Sequence, residues 1–151
     1  MATMYILVGL QGAGKSTYAE KLNKQTGAII VSSDAIREKK SGSRQITKND
    51  SKIFTEMRRT IKKLLEEGKD VIVDATNVTI KKRASYINYI SKLEDIKKVA
   101  IVFNKNANTC VCQNFQRDKD KQVPKYAIYN LEKYFVYPTL EEGFDEIIEI
   151  K

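Results

Sequence analysis

A lysine and a hydroxyl stand side by side behind three glycines in "GLQGAGKS", Gly9 to Ser16. The spacing is G-x-x-x-x-G-K-[ST], with the apolar run "MYILV" before it and a helical pattern after it. Each residue type answers a need of a bound anion. The glycines tolerate the backbone angles that turn successive N–H groups inward. A helix beginning near Lys15 adds the positive end of its dipole. Lys15 can reach the outer phosphates of a nucleoside triphosphate, and the Ser16 hydroxyl can ligate Mg2+. The pattern predicts a phosphate-binding P-loop over Gly12, Ala13, Gly14, Lys15, Ser16 and Thr17.

Three further stretches carry groups that could complete a phosphoryl transfer. "VSSDAIRE" follows a second apolar run and puts Asp34 and Arg37 on one face at the start of a short helix. In open parallel sheets the carboxyl ends of the strands face the ligand crevice, so this pair lies where an acceptor hydroxyl must lie. The carboxylate can take the proton of an attacking hydroxyl, and the arginine can hold an acceptor phosphate bidentately. The plainer reading is a local aspartate–arginine pair at a helix start. "DVIVDATN" ends an apolar run in Asp74, a Walker-B-like position from which a carboxylate can hold Mg2+ through water. Asn77, just beyond, is expected to touch the acceptor, although Asn also suits a plain turn. In "NFQRDKDKQVP" a helix ends near Arg117 and a cationic loop follows. This reads as a lid over about 114–125, closing so that Arg117, helped by Lys119 and Lys121, neutralises charge on the transferring phosphoryl group. The plainer reading is a solvated charge run.

One stretch argues against another nucleotide chemistry. "VFNKNA" looks like a guanine-reading N-K-x-D element, but Ala107 stands where the carboxylate would be. No switch D-x-x-G follows the third strand, since Asp74 precedes "ATN". The stretch reads as a strand end and polar turn, and a regulatory GTPase is not expected.

The elements that must position these groups alternate along the chain. Strands are predicted over 4–8, 28–32, 70–76 and 97–103, and in the closing "FDEIIEI". Helices are predicted over "KSTYAEKLNKQTG", "SDAIREKK", "DSKIFTEMRRTIKKLLEEG", "IKKRASYINYISKL", "NTCVCQNFQR" and "PKYAIYNLEKYF". The clearest is the third, with a stripe of Ile53, Met57, Ile61, Leu64 and Leu65 and a stop at Gly68. "SGSRQITKN" reads as a polar loop. Alternation of this kind implies an α/β fold, a parallel sheet of about five strands flanked by helices. The length of 151 residues and the absence of repeats or linkers favour one domain over 1–151.

Composition narrows the chemistry further. The chain has no histidine, so any general base is a carboxylate or something rarer. Its two cysteines form a C-x-C pair without further ligands, a poor zinc or disulfide pattern that suits ordinary thiols in a reducing cytoplasm. No apolar run reaches the ~18 residues of a membrane span, and the first residues lack a signal-peptide pattern. The net charge of +8 favours a polyanionic partner. Arg37, Lys39, Lys40, Arg44 and Lys81 to Arg83 are the candidates for a backbone track. Stacking platforms are less evident, because the tyrosines are scattered and many read as core.

In order and spacing, "GLQGAGKST", "SSDAIRE", "VIVDATN" with "KKRA" after it, and "NFQRDKDKQVP" together resemble the 5′-polynucleotide kinase branch of the P-loop kinases. The resemblance covers essentially the whole chain, including the closing "YPTLEEGFDEIIEI". It implies ATP and Mg2+ as cofactors and the 5′-hydroxyl ends of DNA or RNA as acceptors. Lys15 and Ser16 would bind the ATP phosphates and the metal, with Asp74 as the second metal residue. Asp34 would be the general base, Arg37 would engage the acceptor phosphodiester, and Arg117 would stabilise the transferring group. Asn77 and Arg83 would lie at the acceptor. One departure stands out: the family often carries a second arginine four residues before the lid arginine, where this chain has Gln113. No D-x-D-x-T phosphatase motif is present, so only the kinase module is resembled. Two rivals stay open: a small-molecule kinase acting on a nucleoside, sugar or antibiotic hydroxyl, and an ATP-dependent binding module without kinase activity.

Overall fold

Five apolar runs pair into a single sheet: β1 (Ala2–Val8), β2 (Ile29–Ser32), β3 (Val71–Asp74), β4 (Ile96–Phe103) and β5 (Glu146–Ile150). The structure, a computed structural model, describes residues 2–42 and 50–150. Most of the polar loop after "SDAIREKK", including Arg44, lies outside the described residues. The strand order is β2-β3-β1-β4-β5, and every neighbouring pair is parallel. Parallel neighbours need long crossovers. These are supplied by α1 (Lys15–Thr26), α2 (Ser33–Ser41), α3 (Asp50–Glu66), α4 (Ile80–Tyr89), α5 (Ala107–Phe115) and α6 (Lys125–Glu132).

The alternating side chains of the strands divide the core into two faces. Met4, Ile6 and Val8 of β1 point to one side with Val71 and Val73, and meet the buried stripe Met57, Ile61 and Leu65 of α3 and Tyr86 of α4. Leu7 points to the other side with Ile72, Val99 and Ile101, against Ala19 of α1, Cys110 and Val111 of α5 and Ile128 of α6. Both faces of β1 and β3 are therefore covered, which is why these strands are apolar at nearly every position.

The sheet register fixes the carboxyl ends where the chemistry-bearing residues lie. Ser32 pairs with Asp74, so the start of α2 stands beside the end of β3. Val8 pairs with Val102, so the loop after β1 begins beside Phe103. Gly9 N–H donates to Thr76 O at 2.9 Å, and Asn77 Nδ2 donates to Leu7 O at 2.8 Å, which ties the ends of β1 and β3 together.

Several boundaries differ from the sequence expectation. β1 starts at Ala2 because its early residues pair with Ile96 and Lys97 of β4. α4 stops at Tyr89, and the chain turns through Asp95 at φ +59° into β4. The charged loop contains a 3-10 turn over Lys119–Lys121, and a second such turn over Leu140–Glu142 precedes β5.

Candidate functional site

The loop after β1 wraps tightly against α5. Gly12 has φ +84°, and a Cβ there would run into the carbonyl oxygen of Cys110. At Gly9 a Cβ would come within 2.9 Å of the Phe103 Cβ. Glycine is needed at both positions because the neighbouring segment, the Cys110 carbonyl at one and Phe103 at the other, already fills the space. α1 then begins at Lys15, with its N-terminus at the floor of a cleft of about 960 Å³.

Lys15 is buried, and its Nζ donates to Leu10 O at 2.7 Å. Burial pushes its pKa down to about 8, while Asp74, Cys110 and Asp34 pull it back up and Arg117 pushes it further down. A buried ammonium without a tight carboxylate partner is a site prepared for an anion. The Ser16 hydroxyl donates to Asp74 Oδ2 at 3.1 Å across the ends of α1 and β3. One hydroxyl beside one carboxylate is the hard-oxygen set that Mg2+ takes together with water and nucleotide phosphates, so these residues fit the ion.

On the opposite side of the cleft, Ser32 caps α2 by accepting from Ala35 N at 3.2 Å. That cap sets Asp34 and Arg37 in the first turns, where Arg37 Nη1 donates to Asp34 Oδ1 at 2.7 Å. The arginine side chain is 5% exposed and the aspartate 42%, so the carboxylate is open to a ligand while its partner is held underneath. The Asp34–Arg37 pair, Asp74, Lys15, Ser16 and Arg117 all line the one cleft.

The segment read as a lid is clasped at its base. Asn114, fully buried, donates from Nδ2 to Val123 O at 2.7 Å and accepts at Oδ1 from Val123 N at 3.1 Å. Gln122 Nε2 donates to Arg117 O at 2.9 Å, and Arg117 and Pro124 both line the cleft. Lys119 and Lys121 are exposed on the outer turn. Gln113 also lines the cleft, and its Oε1 is buried without a hydrogen-bond partner among the described residues.

Of the two further residues expected at the acceptor, Asn77 lines the cleft and Arg83 does not. Arg83 is fully buried: its Nε and Nη2 donate to Glu142 Oε1 and Oε2 at 2.7 and 3.0 Å, and its Nη1 donates to Asn77 O at 3.1 Å. The guanidinium clamps the turn before β5 onto α4, and Arg83 does not line the cleft. Asn77 lines the cleft and is 1% exposed, with φ +50°; its Nδ2 donates to Leu7 O and Ala75 O, while its Oδ1 is buried without a hydrogen-bond partner among the described residues. It braces the β3 turn. Among the cations taken as a track, Lys39, Lys40 and Lys81 are exposed but do not line the cleft.

Sequence reasoning missed Lys105 and Phe54, which line the same cleft, and named Lys82, which also lines it, only within the run Lys81 to Arg83. The signal for Lys105 was its place at the carboxyl end of β4, next to the P-loop strand. Its Nζ lies 3.9 Å from where a Gly14 Cβ would stand. The "VFNKNA" stretch is a strand end and turn as expected, with Asn106 capping α5 by accepting from Thr109 N at 2.8 Å.

A family model described as an AAA domain matches residues 4–137. The chain belongs to this family. Among curated proteins, the AAA-domain chain is 30% identical over 148 residues to the bifunctional polynucleotide phosphatase/kinase of Schizosaccharomyces pombe, a match spanning 96% of this chain and 32% of that protein. The chain therefore spans about a third of the length of that relative. Among solved structures it superposes on the Pnkp1/Rnl/Hen1 RNA repair complex with a TM-score of 0.72 and 24% identity, covering 91% of this chain and 48% of that one. It also superposes on a gluconokinase from Sinorhizobium meliloti 1021 with a TM-score of 0.65 and 16% identity, covering 98% and 81% of the two chains. The two superpositions carry the fold alone, which is that of P-loop kinases, and the family implies nucleotide binding. Among the described residues no helix is long and apolar enough to cross a membrane.

Proposed function

We propose that the protein is an ATP-dependent kinase that transfers the γ-phosphoryl group to the 5′-hydroxyl end of DNA or RNA. The observation that carries this reading is the convergence of Lys15, Asp34, Asp74 and Arg117 in one cleft, close enough that each of the other three charges bears on the ionisation of Lys15. A module that only bound ATP would have no use for an open carboxylate opposite the phosphate loop. The 30% identity to a polynucleotide phosphatase/kinase supports the acceptor class.

In this reading residues 1–151 form one kinase domain with a lid over about 114–125, working in the cytoplasm. The loop N–H groups and Lys15 hold the β- and γ-phosphates of ATP. Arg37 takes the phosphodiester next to the acceptor hydroxyl and keeps Asp34 in place. Asp34 accepts the hydroxyl proton as the acceptor oxygen bonds to the γ-phosphorus in line. The bond from that phosphorus to the β–γ bridging oxygen breaks, and ADP leaves. Lys15 and Arg117 stabilise the charge spread over the transferring oxygens. Mg2+, held by Ser16 and Asp74, would supply further neutralisation of the phosphate charge.

The test is Asp34→Asn. The proposal predicts a kcat lower by about 10²–10⁴ on a 5′-hydroxyl oligonucleotide with ATP affinity retained. Full activity in that variant would remove Asp34 as the base. A second reading, a kinase of small polyols, has one observation in its favour: the superposition on a gluconokinase over 98% of the chain. Salt separates the two, because the acceptor KM rises steeply with salt for a polyanionic oligonucleotide and far less for a small polyol carrying at most one charge.

A further inference from the structure

Lys105 of "VFNKNA" stands two residues beyond the end of β4 at Phe103. The backbone on both sides of it is fixed. Before it, Phe103 pairs with Ile150 of β5, and Asn104 Nδ2 donates to Glu149 Oε1 at 3.2 Å. After it, Asn106 caps α5, and Ala107 N–H donates to Glu132 Oε2 at 2.9 Å. Both carboxylates are engaged by neighbours of Lys105. Among the described residues the Lys105 ammonium itself has no hydrogen bond or ion pair. It is half-buried and lines the cleft, with Nζ 3.9 Å from where a Gly14 Cβ would stand.

The strand order decides which part of a nucleotide comes near it. Asp34 and Arg37 follow β2 and Asp74 ends β3, so the acceptor side of the cleft lies to one side of β1. The γ-phosphoryl group must face that side. The nucleoside half of the donor then extends over the other neighbours of β1, first β4 and then β5. There the paired strand ends Phe103 and Ile150 line the cleft, together with Tyr18 of α1. The Tyr18 and Phe103 rings meet edge to face with centroids 5.4 Å apart. Such a wall offers a sugar or base packing without charge. Lys105 adds a cation where the wall meets the phosphate loop at Gly14. A half-buried ammonium that no carboxylate neutralises gains most from an anionic or oxygen-rich guest.

We propose that Lys105 binds the inner end of the donor. Its ammonium donates to the oxygens where the α-phosphate joins the ribose, while Lys15 holds the β- and γ-phosphates. The inference rests on the reading of this cleft as an ATP site and holds for either acceptor, a strand or a small polyol.

The experiment measures binding of ATP and ADP to the whole protein by titration calorimetry in the presence of Mg2+. The Ki of pyrophosphate as a competitor of ATP is measured alongside. Pyrophosphate supplies two phosphates without the inner end of the donor. The proteins are wild type, Lys105→Met and Lys105→Arg. Lys105→Met is expected to raise the Kd of ATP and of ADP by about tenfold, the weight of one charge-assisted hydrogen bond. The Ki of pyrophosphate stays near the wild-type value. Lys105→Arg keeps the charge and loses less. A misfolded fraction binds neither ligand, so the ratio of ATP to pyrophosphate affinity is read on folded protein alone. An equal loss for ATP and pyrophosphate, or an unchanged Kd for ATP, would overturn the Lys105 contact and leave the kinase reading standing. A wild-type protein that binds no ATP would overturn both.

Discussion

Replacing Arg83 by Met removes one half of a buried ion pair. The resemblance to 5′-polynucleotide kinases implies this arginine at the acceptor; the structure places it against Glu142, with side-chain exposures of 0% and 8%. Breaking such a pair strands the remaining carboxylate, and the usual cost is ~3–5 kcal/mol. For a chain of this size that corresponds to a melting temperature lower by about 6–20 °C. The same change leaves Asn77 O without its donor, at the turn that joins β3 to the cleft. The double variant Arg83→Met with Glu142→Leu removes both charges and is expected to recover most of the loss. The remaining deficit is ~1–2 kcal/mol, because Glu142 Oε2 also accepts from Thr139 N at 2.9 Å and completes the cap of its turn. Thermal or urea unfolding of the two variants and the wild type gives the comparison. In parallel, the acceptor KM of Arg83→Met is measured below its unfolding transition and is expected near the wild-type value. Normal stability together with a large rise in acceptor KM would refute the clamp and restore Arg83 to the acceptor site.

Other expectations follow from the same geometry. The Lys15 pKa, pushed down to about 8 by burial, is raised again by bound phosphates, so ATP binding takes up a proton above that pH. Affinity for ATP should be flat below about pH 8 and fall with rising pH above it; a flat profile through pH 9.5 would contradict the burial argument. By the same sign, the burial cost of charged Lys15 weighs on folding in full below about pH 8 and is relieved as the pH rises toward 10.5. Gly12→Ala forces a Cβ into the Cys110 carbonyl at a left-handed position and should abolish ATP binding, read by calorimetry. Asn114→Ala leaves both backbone groups of Val123 without their partner, at a cost of ~1–3 kcal/mol, and should speed hydrogen exchange at the Val123 amide.

What could be read from the sequence was what is written locally. The P-loop has all its residues within one turn between strand and helix, and each type is tied to a local backbone need, as at Gly12. The α3 stripe of Ile53, Met57, Ile61, Leu64 and Leu65 is periodic; four of the five are buried, and Leu64 is half-buried at the edge of the same core. The parallel sheet followed from alternation alone. What could not be read was pairing at a distance. Arg83 and Glu142 stand 59 residues apart, and an isolated arginine in "KKRA" carries no sign that it faces the core. Asn114 reaches Val123 across a charged loop whose composition hides the clasp. Phe54 and Lys82 belong to helices separated in the chain by β3, so their contact exists only once the sheet brings α3 and α4 together. Lys105 sits in a failed N-K-x-D match, and nothing in that local pattern marks its place just beyond the end of β4, beside the P-loop. Strand and helix ends shifted where pairing, as between Ala2 and Ile96, outweighed local pattern.

The central claim is the acceptor. The protein is mixed with γ-labelled ATP, Mg2+ and, separately, 5′-hydroxyl DNA and RNA oligonucleotides, free nucleosides and gluconate, with Lys15→Ala as the control. Label on an oligonucleotide, released by a 5′-phosphatase and lost in Lys15→Ala, is the predicted result. Label on gluconate or a nucleoside with none on any oligonucleotide would contradict the polynucleotide reading, while the P-loop and the fold would stand.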